Sequence, residues 1–336
     1  MSTSSGPPRG RGPARSAKRA PSWPAERPGA RPAGVGIGLV LLMAACFAVS
    51  DTTIKYLGGL LPVLFLLWAR YLFQTCAMAL WLARRGSPGF RTAHPKFQWV
   101  RGALLLVTSA MAFFGLQLMP VAEFTALGML TPVIVTMIAA LVLHEPVSRM
   151  RWVLVWGGFV GALIVIRPGS GVFGWAAMFP LLMALCYGFF QVLTSKLAAL
   201  ESPFTTQFYT GFSGVVLVTP FLLPVAPELM TALRGASLSQ WLLVLVIGLF
   251  ATSGHLFLIL AYGFAPTATL MPFIYTQIAF ALVASWVAFR HVPDGWAWFG
   301  MGVIALCGGA SAWLNVRSGP PRAHPDSAVA ADTIAD

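Results

Sequence analysis

Long apolar runs separated by short polar connections dominate the chain, and the length of the runs carries the first inference. A helix rises 1.5 Å per residue and satisfies its own backbone, so about 20 mostly apolar residues cross a bilayer core. Runs of that kind fall near 36–57, 62–82, 99–118, 121–143 and 150–167, then 174–197, 206–224, 240–262, 267–289 and 296–315. Pro120 separates the third from the fourth, and Pro266 the eighth from the ninth. The pattern predicts an all-α integral membrane protein with ten transmembrane helices.

The second half repeats the first. LLMAACFAVSDTTIKYL at 41–57 is matched 140 residues on by LLMALCYGFFQVLTSKL at 181–197. The offset then drifts to 146, pairing Pro120 with Pro266, Ala122 with Ala268 and Trp152 with Trp298. Five helices per unit is an odd number, so the second copy enters the membrane upside down. The expected organisation is a five-helix repeat over 34–169 and its inverted partner over 172–316. Inverted repeats set a solute site near the midplane between the halves.

Composition strengthens the class and narrows the partners. Of 336 residues, 57% are hydrophobic and 10% charged, where soluble domains carry about a quarter charged. The lipid bilayer is therefore the expected solvent. Residues 1–33, rich in Pro, Gly, Ser and Arg, read as a disordered basic tail, and 317–336 as a flexible C-terminal tail. The first apolar run exceeds a signal-peptide core and further spans follow it, so it reads as a retained helix. The net charge of +12 follows topology, because no basic stripe interleaved with exposed aromatics is present to suit a nucleic acid. With the N-terminus in the cytoplasm, 17 of the 22 Lys and Arg fall inside and 4 outside, with Arg70 alone within a span. Basic residues favour the cytoplasmic side. Both termini are thus expected in the cytoplasm and the protein in the inner or plasma membrane. The inside set includes Arg91, Lys96 and Arg101. The four cysteines, Cys46, Cys76, Cys186 and Cys307, lie in apolar runs without a CxxC pair and read as helix-packing residues.

The chain resembles the drug/metabolite transporter superfamily, in the group built from two EamA-type units. The resemblance lies in FAVSDTTIKYLGGLLPVLFLLWARYL, in MPVAEFTALGMLTPVIVTMIAALVLHEPV and in WVLVWGGFVGALIVIRPG, and covers roughly 36–316. It implies two inverted halves around a central cavity and carriage of metabolites such as amino acids, nucleotide-related compounds or vitamins. The family often has Gly-Glu after the fourth helix. Here His144-Glu145 stands there, so a capping and loop role passes to Glu145, while the matching turn, Arg290-His291, lacks the acid.

Ionisable side chains within spans are costly and mark candidate function. Asp51 and Lys55 share a face of the first helix at i and i+4, as Arg70 and Gln74 do on the second. Asp51 and Lys55 form a structural ion pair, or Asp51 handles solute or protons while Lys55 snorkels to water. Arg70 lies too deep to snorkel and is expected in the cavity, with Asp51 its partner. Glu123 opens the fourth helix, where a carboxylate suits the N-terminal dipole; helix capping and ion coupling both fit. Counting rise from the helix ends puts Asp51 about 9 Å and Arg70 about 12 Å inside the outer edge, with Lys55 and Glu123 within about 3 Å. Gln191 and His255 are expected in the inner leaflet, Tyr275 and Gln277 nearer the middle. These four either line the solute path or bond between helices. Gly157 and Gly161 form a GxxxG packing face.

The expected function is alternating-access carriage of a small organic solute, an amino acid or relative first and a vitamin or nucleotide-like metabolite as the alternative. A proton is a candidate coupling ion. No cofactor or metal is implied. HExxH and GxSxG are absent from the sequence, which disfavours a membrane enzyme. A scaffold has little need for converging buried charges, and no filter sequence suggests a channel.

Overall fold

A computed structural model describes residues 33–84, 90–131, 133–134, 137–138, 148–167, 173–198, 201–262, 264, 270 and 273–317. The tails, Glu145 and parts of the expected fourth and ninth spans lie outside them. The described helices are α1 (Ala33–Gly58), α2 (Val63–Arg84), α3 (Pro95–Leu118), α4 (Val121–Gly128) and α5 (Arg149–Ile166). They continue with α6 (Met178–Ala198), α7 (Pro203–Leu222), α8 (Ala226–Arg234), α9 (Leu238–Tyr262), α10 (Thr276–Phe289) and α11 (Gly295–Arg317). A short 3-10 turn, Gly174–Ala177, leads into α6.

Five stretches are long and apolar enough to cross a membrane: Gly34–Gly58, Val63–Arg84, Pro95–Leu118, Gly174–Gln191 and Leu238–Ala261. Shorter apolar helices are Trp152–Ile166, Thr276–Phe289 and Gly295–Ser311. Helix α7 is more polar because it carries Thr205, Thr206, Gln207, Thr210 and Ser213, and all five are buried. Its polarity is turned inward, against α2 and α3.

The distribution of side chains suits lipid. Val153, Trp156, Val160 and Leu163 of α5 are exposed at helical spacing, as are Leu242, Leu245 and Leu249 of α9. Buried positions meanwhile include Arg70, Gln74, Gln98, Arg101 and Glu123. A water-soluble protein puts charges outside and large apolar side chains within; here the periphery is apolar and polar groups gather inside.

The principal helix pairs map onto one another when the halves are exchanged. Helix α1 packs on α9 and α10, while α6 packs on α3 and α4. Helix α3 also meets α7, as α9 meets α2; α2 pairs with α7, α4 with α10 and α5 with α11. Swapping α1 with α6, α2 with α7, α3 with α9, α4 with α10 and α5 with α11 returns these principal pairs, while the lesser contacts among α1, α2 and α3 and that between α4 and α11 have no counterpart of similar extent. Helix α8 has no counterpart among the described residues. It is a short surface helix that seats Leu229 and Leu233 on the core.

Glycines set the closest approach. A Cβ on Gly161 would lie 3.0 Å from the carbonyl oxygen of Gly300, and one on Gly300 would lie 2.8 Å from that of Gly161. Helices α5 and α11 thus cross backbone to backbone, and Cys307 Sγ fills the space over Gly157. Small residues allow such contact where water supplies no driving force between helices. The four cysteines are free; Cys46 is buried but Cys76 is exposed and packs nothing inside.

Candidate functional site

A crevice with a cavity volume of about 140 Å³, open in part to solvent, lies between the halves. Helix α1 contributes Phe47, Ser50 and Asp51, α2 contributes Arg70, and α3 contributes Thr108, Ser109 and Phe113. Phe124 and Thr125 come from α4. The other half supplies Tyr187 and Gln191 from α6, His255 from α9 and Gln277 from α10. Of the sequence candidates, Asp51, Arg70, Gln191, His255 and Gln277 are brought together here.

Arg70 is 5% exposed and its orientation is fixed by a chain of hydrogen bonds. Nη1 donates to Ser109 Oγ at 2.7 Å. The Tyr71 hydroxyl lies 2.8 Å from that oxygen and 3.0 Å from the Leu105 carbonyl oxygen. A carbonyl only accepts, so the one phenolic hydrogen serves Leu105 and Ser109 donates to Tyr71. Nη2 meets His255 Nε2 at 3.1 Å. Arginine has no acceptor, so Nε2 accepts and the imidazole is neutral with its hydrogen on Nδ1. The ring of Phe47 braces His255 edge-on at 4.9 Å.

Asp51 does not pair with Arg70 as expected: no ion pair within 4.0 Å joins them among the described residues. Both line the crevice. Arg70 was expected in the outer leaflet and His255 in the inner, and their side chains meet. Helix rise places Cα atoms only and takes no account of how far a long side chain reaches.

The sequence matches the EamA-like transporter family twice, over residues 34–167 and 174–308. The chain belongs to that family. A riboflavin transporter of Rhizobium johnstonii is 33% identical over 224 residues, 66% of this chain and 72% of its own. An S-adenosylmethionine uptake transporter of Rickettsia felis is 25% identical over 77% of this chain and 86% of its own. A solved crystal structure with 16% identity aligns with a TM-score of 0.56 over 86% of this chain and 99% of its own, a likeness of fold. Family membership, with the apolar helices, makes this a multi-pass membrane protein.

Other expected site residues of this EamA-family protein sit elsewhere. Gln74 is fully buried between α2 and α7, where Nε2 donates to the Gln207 carbonyl at 2.9 Å. Tyr275 packs its ring and hydroxyl over Gly308 of α11. Glu123, 3% exposed, accepts from His291 Nε2 at 2.8 Å and so ties the start of α4 to the loop before α11. Lys55 neither pairs with Asp51 nor reaches into solvent. Its ammonium donates to the Leu116 and Met119 carbonyls at 2.8 Å each, capping the C-terminal end of α3. Those carbonyls have no intrahelical partner, and a cation there also suits the dipole.

Arg101 is the residue that sequence reasoning misplaced. Counted with the cytoplasmic-side cations, it lies 2% exposed inside the bundle. Nε donates to Thr194 Oγ1 at 2.8 Å, Nη1 reaches Thr210 Oγ1 and the Thr206 carbonyl, and the guanidinium sits 4.5 Å over the Phe190 ring. Helix α3 begins at Pro95, four residues before the expected start, which draws Arg101 inward. The threonines of α7 at i and i+4 spacing were the signal that could have found it. At the other end, Arg167 Nη1 pairs with Asp294 Oδ2 at 2.7 Å, and Asp294 Oδ1 accepts from the Ala297 amide at 2.9 Å as the N-cap of α11.

Proposed function

We propose that this protein is a ten-span secondary transporter of two inverted repeats, 34–169 and 172–316. It carries a vitamin- or nucleotide-like heteroaromatic metabolite by alternating access, in the cell membrane with both termini in the cytoplasm. The observation that carries this reading is the crevice itself. It lies between halves whose principal helix pairs map onto one another by exchange, and Phe47, Phe113, Phe124 and Tyr187 line it together with hydrogen-bonding groups from both. Flat aromatic walls suit a planar ring, and a few polar groups orient it. Relatives named for riboflavin and S-adenosylmethionine support that class. Proton coupling would run through Asp51 or through the Glu123–His291 pair.

A specific observation favours a second reading. Asp51 and Arg70 offer opposite charges to one space without pairing, which suits the ends of an amino-acid zwitterion. Purified protein in proteoliposomes distinguishes the two. Counterflow of labelled riboflavin or S-adenosylmethionine above empty vesicles is the expected result. Counterflow of phenylalanine or glutamate, with both heteroaromatics unmoved, would select the second reading, and no flux of any of them would end both.

A further inference from the structure

The crevice presents more hydrogen-bond donors on one side than its own residues can use. Of the five N–H groups of Arg70, two are bonded, to Ser109 and His255. His255, with Nε2 accepting, holds a hydrogen on Nδ1 that has no partner among the described residues. Ser109 returns its hydrogen to Tyr71, so it fixes the guanidinium and does not neutralise it. The two nitrogens of an imidazole point to opposite sides of the ring, so the Nδ1–H faces away from the guanidinium. The donors this wall leaves for a solute are those of Arg70, and no described residue answers them.

Charge points the same way. The sequence has no Asp, Glu, Lys or Arg over 124–144, 168–195, 202–227 and 235–289. Asp51 is the one acid among the described residues lining the crevice, and Glu123 is engaged by His291. Against Asp51 stand Arg70 and, one layer behind, Arg101, whose guanidinium covers Phe190, itself stacked on the crevice residue Tyr187. The side-chain partners of Arg101 are neutral hydroxyls and a ring. Two buried guanidiniums against one carboxylate leave a positive excess in a low-dielectric interior, which a negative group relieves.

We propose that Arg70, held in place by Ser109 and His255, forms an oxyanion subsite, so that the carried metabolite bears a carboxylate or phosphate docked on its guanidinium. This rests on the reading that the crevice holds the solute. The anion takes the free N–H groups of Arg70, while Asp51 faces the solute's own donors. Arg70, braced by Ser109 and flanked by the Tyr71 and Phe113 rings at 5.0 and 6.0 Å, is preorganised to receive it.

The test is calorimetric titration of the detergent-purified full chain with three pairs differing at one group: riboflavin and its 5′-phosphate, adenosine and its 5′-phosphate, nicotinamide and nicotinate. In at least one pair the anionic member binds about tenfold tighter, the scale of one charge-assisted hydrogen bond. Preference in the nicotinate pair alone assigns a carboxylate, and preference in the phosphate pairs alone a phosphate. Arg70→Gln abolishes the preference. His255→Phe, which removes the acceptor that orients Nη2, weakens it, and serves if Arg70→Gln does not fold. Equal binding within every pair, or a preference that survives both substitutions, overturns the subsite while leaving the proposed function standing. Failure of all six compounds to bind overturns the subsite, while the counterflow assay decides the proposed function.

Discussion

The guanidinium of Arg70 and the imidazole of His255 meet at 3.1 Å, although 185 residues separate them in the chain. The bond joins α2 of one half to α9 of the other inside the crevice. Losing the imidazole removes an acceptor from a buried cation, which costs about 1–3 kcal/mol. His255→Leu is expected to lower the thermal unfolding midpoint in detergent, and His255→Gln, which supplies a carbonyl acceptor, to lower it less. Equal losses in the two variants would mean that packing against Phe47, and not the hydrogen bond, is what His255 provides.

Asp51 faces the crevice without a partner within ion-pair distance among the described residues. Asp51→Asn is therefore expected to change solute affinity or the pH dependence of transport with little change in stability. Proteoliposome kinetics across pH are the check. Rate, affinity and pH profile all matching wild type would reduce Asp51 to a structural residue.

Gly161 and Gly302 provide a matched pair on the contacting helices. A Cβ at Gly161 meets the Gly300 carbonyl at 3.0 Å, whereas one at Gly302 meets nothing within 4 Å. Gly161→Ala should destabilise by about 1–3 kcal/mol through forced separation of α5 from α11, while Gly302→Ala should be neutral or slightly stabilising. Similar unfolding midpoints would show that the backbone contact is not tight.

Asp294 gives a pH dependence outside the spans. The Ala297 amide, and then Arg167, hold its carboxyl below the ordinary value despite some opposing desolvation. A depressed folded-state pKa contributes stability that is complete above the unfolded value, about pH 4. That contribution fades as pH falls through the folded value. The midpoint difference between wild type and Asp294→Ala should therefore be largest near neutrality and narrow below about pH 4. A difference constant down to pH 3 would indicate that the charge plays no part.

Orientation is open to direct labelling. With Arg91→Cys placed in a background lacking the four native cysteines, a membrane-impermeant maleimide should react only after cells are permeabilised. Reaction in intact cells would reverse the proposed topology.

Much of the architecture was legible because solvation alone dictates it. Runs of about 20 apolar residues have few stable options other than helices in lipid, and the Pro and Trp matches between halves marked the repeat before any contact was known. The charged and polar residues that line the crevice were also found in part, since Asp51, Arg70, His255, Gln191 and Gln277 stand out against apolar neighbours. Their distribution was not legible. Gln74 and Tyr275 look no different from these in sequence, yet one bonds the α7 backbone and the other packs on Gly308.

The sequence by itself determined that this chain lives in a membrane, where most of its described helices run and that it is built twice. Only the tertiary structure decided partnership. It put Lys55 on the α3 carbonyls instead of beside Asp51, sealed Glu123 with His291 and drew Arg101 into the bundle. Hydrophobicity acts on each segment separately and so can be read along the chain. A hydrogen bond between helices depends on tilt, rotation and the approach of residues a hundred or more positions apart, which no local pattern records.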